Sequence, residues 1–158
     1  MNKIISTLLF IFVGVGLYAS ATDNHTCTVT ASAINEASVV GGNVTVTINA
    51  ATAGSNPTAV TDSTTSDLNW TTNEASKKIA IKSSIAVGSQ TFTLKATATN
   101  ISGGTAESQV SLTDSDQDFI TAISTTVGTC DLSYEGTATA AEGTGSDAHT
   151  ITYTLTAA

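Results

Sequence analysis

Apolar and hydroxyl side chains alternate along most of this chain, and helical periodicity is nearly absent. In Thr26–Ala33 the alternation places Cys27, Val29, Ala31 and Ala33 on one face and hydroxyls on the other. Gly41-Gly42 predicts a turn into Asn43–Ile48, where Val44, Val46 and Ile48 again fall on one side. Residues 51–66, which contain the single proline Pro57, predict a long loop. Further strands are predicted over Leu68–Thr71, Ile79–Ser83 and Gln90–Thr99. Asn100–Gly104 predicts the turn of a hairpin whose returning strand is Thr105–Leu112. Phe119–Thr126 fits either a strand or a short helical turn, Cys130–Tyr134 begins a strand that ends in the Gly-rich loop 141–147, and His149–Thr156 alternates throughout. Eight or nine short strands between Gly, Asn and Ser turns predict an all-β protein, an immunoglobulin-like antiparallel β-sandwich.

The N-terminal stretch follows another rule. Met1-Asn2-Lys3 is a short basic region, Ile4–Leu17 is almost wholly apolar, and Ala19-Ser20-Ala21 offers the small residues of a signal-peptidase site. The apolar run of about 14 residues falls short of the roughly 20 that cross a bilayer, and no basic stop-transfer cluster follows. Residues 1–21 are therefore expected to be a cleaved secretory signal, which leaves a strand at 22–34 and a sandwich domain at 35–158. The expected destination is extracellular or cell-surface, by way of the periplasm in a diderm bacterium, with no stable membrane anchor.

Composition narrows the function classes. Arginine is absent, and after the signal four lysines stand against thirteen acids. Nucleic acids and anionic membranes both demand clustered Lys and Arg, so neither is an expected partner. Threonine and serine make up roughly three residues in ten, which suits strands with a hydroxylated, sparsely charged surface. His25 and His149 sit in no metal-ligand or nucleophile motif, and the acids are scattered, so no enzyme is expected. Asp114-Ser115-Asp116-Gln117-Asp118 has the alternate aspartates of a calcium loop. Phe119 and Thr125 stand where an EF-hand needs Gly and Glu, so Ca²⁺ at Asp114, Asp116 and Asp118 competes with an acidic solvated turn. Trp70 reads as core filling or as a sugar-stacking platform, and Lys77, Lys78 and Lys82 as a charged strand edge. Sequons at Asn24, Asn43, Asn69 and Asn100 are about as many as chance gives in a chain this rich in hydroxyls. An oxidising compartment favours a disulfide between Cys27 and Cys130 over two free thiols.

The signal, the Thr/Ala/Gly/Val-rich strands, the alternating segment after the cleavage site and the Tyr-containing last strand His149–Leu155 together resemble bacterial fimbrial subunits. The similarity is to the major pilins of chaperone–usher and alpha-fimbrial systems and to spore-coat-U-like secreted proteins. It implies an incomplete sandwich completed by a donor strand from a neighbouring subunit, a homopolymer, and a secretion chaperone or assembly machinery as partner. The donor strand would carry Cys27, Val29, Ala31 and Ala33. A Cys27–Cys130 disulfide would then either staple one subunit or join neighbours, whereas fimbrial pilins often join cysteines close in sequence. The reading from a different class is a secreted adhesin or carbohydrate-binding sandwich, with or without calcium.

Overall fold

The computed structural model describes residues 22–158; the expected signal segment lies outside them. Ser32–Ala158 forms one compact unit, an all-β sandwich of two antiparallel sheets. The strands are β1 (Asn35–Gly41), β2 (Val60–Thr72), β3 (Lys77–Ser83), β4 (Thr93–Ser102), β5 (Thr105–Ala106), β6 (Val110–Ser111), β7 (Gln117–Ile123), β8 (Thr126–Thr137) and β9 (Ile151–Ala157). One sheet has the order β1-β2-β8-β4-β6 and the other β5-β7-β3-β9.

Alternation decides what is buried. Along β2, Ser66, Leu68, Trp70 and Thr72 point inward; along β8, Gly128, Cys130, Leu132, Tyr134 and Gly136 do the same. The second sheet answers with Ile79 and Ile81 from β3 and Phe119, Ile120 and Ile123 from β7. Trp70 lies opposite Gly128 in the β2–β8 ladder. A Cβ at Gly128 would stand 2.2 Å from the indole, so the missing side chain makes the space that the largest core residue fills. The β2–β8 register slips between Asp62 and Ser66. There the Asp62 carboxylate accepts hydrogen bonds from Thr64 N–H, Thr65 N–H and the Thr65 hydroxyl, closing a local turn inside the strand.

Four expectations change. Thr26–Ala33 forms no strand; every side chain from Thr22 to Ile34 is exposed, because alternation alone supplies no ladder partner. The first strand is instead β1, whose sequence does not alternate cleanly and which is held by pairing with β2 over seven residue pairs. Asn43–Ile48 is in no ladder, although Val44 and Val46 pack on the core. The hairpin over 100–112 is also replaced. At Gly103-Gly104 the chain crosses between sheets, so β5 pairs with β7 and only β6 returns to β4. A Cβ at Gly104 would lie 2.7 Å from Ile120 Cγ2, and this closeness is what lets the crossing strand lie on β7. The predicted loop 51–66 also ends early, since β2 begins at Val60.

Candidate functional site

The two sheets end together at one flank. The four-stranded sheet ends at β9 and the five-stranded sheet at β1, and the two edge strands lie near each other. Ala37 and Val39 lie opposite Trp70 and Leu68 in the β1–β2 ladder and so share their inward side. Both are nevertheless exposed, Val39 to 48%. A cavity of about 220 Å³ lies between the edges, bounded by Ala37, Val39, Leu68, Ile151 and Tyr153.

β9 alternates as its sequence requires, with Ile151, Tyr153 and Leu155 half-buried and Thr152, Thr154 and Thr156 exposed. Its pairing with β3 runs from Lys77–Ala157 to Ser83–Ile151, and among the described residues its other edge is unpaired. Tyr153 pins it to the core. The Tyr153 and Tyr134 hydroxyls meet at 2.6 Å and so tie β9 to β8 across the sandwich, and the Tyr153 ring centroid is 5.7 Å from that of Phe119. Burial pushes both phenols up from their ordinary pKa, so they stay protonated.

A second group fixes the start of β9. Ser83 Oγ and His149 Nδ1 are 2.8 Å apart, and the Asp147 carboxylate accepts from Thr91 N–H and Phe92 N–H at 2.7 and 2.8 Å. The hydrogen bond from Phe92 N–H, foremost, holds Asp147 below the ordinary carboxylate range. Burial lowers the His149 pKa, and the Asp147 charge acts against that. Ser, His and Asp meet here, but Ser83 is 2% exposed and its hydroxyl oxygen also accepts Ile85 N–H at 3.1 Å. The hydroxyl is engaged in holding the chain, against His149 on one side and Ile85 N–H on the other. Sequence reasoning found His149 alone, because its partners lie 66 and 2 positions away with no motif between them.

The other sequence candidates are dispersed. Asp116 pairs with Lys82 at 3.1 Å and Asp118 with Lys78 at 2.8 Å, bridging β7 and its approach to β3. Asp114, Asp116 and Asp118 therefore do not converge, and among the described residues no three His, Cys, Asp or Glu form a metal-holding group. Lys77 pairs with Glu74 at 2.9 Å. Trp70 is 2% exposed and so presents no stacking face. Cys27 is exposed and Cys130 wholly buried, and the two are not bonded to each other within one chain. Burial raises the Cys130 thiol to about 11, which keeps it protonated and unreactive. Of the four donor-strand residues, Val29 is 91% exposed and Cys27, Ala31 and Ala33 are exposed as well.

No protein-family model, no curated protein and no solved structure matches this chain.

Proposed function

We propose that this protein is a structural subunit of an extracellular filament or surface layer, self-associating by β-strand addition. The open flank carries the reading: an unpaired β9 edge and the uncovered inner side of Ala37 and Val39 border a cavity with an apolar floor at Leu68. An added strand beside β9 would complete the shorter sheet and cover those side chains. Residues 22–34 suit that role because they are exposed, belong to no ladder, and carry small apolar groups at Cys27, Val29, Ala31 and Ala33. Small side chains fit a shallow groove that a row of Leu or Phe would overfill.

Export through the segment 1–21, cleavage at Ala21 and help from a secretion chaperone belong to the same reading. A Cys27–Cys130 bond between subunits requires Cys130 to be uncovered as the strand enters, together with a disulfide or other two-electron oxidant to take up both thiol hydrogens.

Negative-stain microscopy of the purified protein tests the proposal. Filaments or ordered sheets that vanish when residues 22–34 are deleted support it; persistent monomers at high concentration sink it. A non-reducing gel separates the two cysteine states, since a covalent ladder collapses with reductant and a non-covalent polymer shows only the monomer band.

A further inference from the structure

Gly42 N–H donates to Thr65 O at 3.3 Å, and Ala50 O accepts from Thr58 N–H at 2.8 Å. Between those two points no backbone hydrogen bond is formed among the described residues. Yet Asn43–Ile48 is firmly seated through its side chains. Val44, Val46 and Ile48 are half-buried, while Asn43, Thr45 and Thr47 are exposed. A Cβ on Gly136 would fall 2.8 Å from Val46 Cγ1 and 3.7 Å from Ile48 Cδ1, so the segment lies directly on β8 at a residue with no side chain. The alternation read in the sequence is therefore present in space, with the main-chain groups of a strand and, among the described residues, no ladder to receive them.

An unpaired extended segment is a template for another strand, and natural edges are usually blunted by Lys, Pro, bulges or brevity. β5 and β6 are two residues each, and β1 carries Glu36. Asn43-Val44-Thr45-Val46-Thr47-Ile48 has none of these defences. It is rich in β-branched residues, contains no proline, and lies in a stretch without a charged residue from Ala37 to Thr61.

We infer that Asn43–Ile48 is a self-pairing edge that joins two copies of this chain antiparallel about a two-fold axis near Val46. The identity of the occupant follows from charge. The chain carries a formal net charge of −8, so two copies repel over most of their surfaces, and a two-fold contact sets each patch against itself. An uncharged patch meets its own copy without like-charge repulsion. Its Thr45 faces the second copy's Thr47, a favourable β-branched cross-strand pair. The inner side chains are already docked, so pairing orders little that is not ordered before. This contact is separate from strand donation by residues 22–34 and survives if that reading fails.

Sedimentation velocity of the purified protein over a wide concentration range tests it, with T45K/T47K and T45E/T47E as variants. Both positions are exposed, and an unchanged thermal midpoint shows that the fold persists. The wild type is expected to associate reversibly. Each variant alone should associate at least about tenfold more weakly, because like charges then face each other. An equimolar mixture of the two variants should recover the wild-type behaviour. In the wild type, amide exchange of Asn43–Asn49 should slow as concentration rises. A monomeric wild type overturns the inference. So does a T45K/T47K variant that associates as tightly as the wild type, which would move the contact to another surface.

Discussion

β8 and β9 carry the same alternating pattern and meet different fates. β8 is paired on both sides, by β2 and β4, and its inward residues Cys130, Leu132 and Tyr134 are buried. β9 is paired on one side only, and Ile151, Tyr153 and Leu155 stay half-buried. Alternation thus determines which way a side chain points, and position in the sheet determines how much water it loses. Where the second neighbour is missing, apolar area remains for a partner to cover.

Substitutions should grade accordingly. The largest effect is expected deep in the paired region. Trp70→Ala should cost about 3–5 kcal/mol in denaturant unfolding, since the indole over Gly128 is 2% exposed and leaves a cavity that cannot collapse. Leu132→Ala, also in the paired region, should cost about 2–4 kcal/mol, and Leu155→Ala on the open edge about half as much or less. Equal losses at the two leucines would break the contrast between β8 and β9. Tyr153→Phe removes the 2.6 Å contact with Tyr134 and should cost about 1 kcal/mol, read from the shift in denaturation midpoint.

Acid acts on the foot of β9. The folded-state pKa of His149 lies below its ordinary 6.5, so the folded protein favours the neutral ring. Stability from this site is complete above 6.5, falls as pH drops through that value, and levels off once pH is below the folded-state pKa. His149→Gln should flatten that segment of a stability–pH curve; an unchanged slope would place its origin elsewhere. The smallest perturbation is chemical labelling of the thiols. A thiol reagent should modify one cysteine, Cys27, in the native protein and the second only on unfolding.

The sandwich class and the strands β2, β3, β4, β8 and β9 were legible, because one buried face imposes a period of two on the sequence, whereas β7, which buries the adjacent Phe119 and Ile120, fitted a strand or a helical turn equally. Boundaries were less so. β1 was hidden because Asn35-Glu36-Ala37-Ser38-Val39-Val40 alternates only over Glu36–Val39, flanked by a second polar and a second apolar residue, and becomes a strand only through β2. Thr26–Ala33 and Asn43–Ile48 showed the pattern without the ladder, since hydrogen-bond partners are a property of the fold and leave no trace in a local window. The pairing of Asp116 and Asp118 with lysines depends on a bulged β3–β7 register about forty residues apart in sequence. For that reason the acids and the lysines each stood out, and their pairing did not. The open flank was invisible for the same cause: it arises where the edge strands of two sheets, β1 and β9, come together in the fold.

Asn73 has a mechanical consequence. Its side chain accepts Ile34 N–H at 2.8 Å and donates to Ser32 O at 2.7 Å, and its own N–H reaches Ile34 O at 3.2 Å. Tension applied to the N-terminal segment therefore loads this one residue first and then the seven pairs of β1 against β2. A polymer built through that segment would be as strong under pull as this clamp, and Asn73→Ala would lower the force at which single molecules yield.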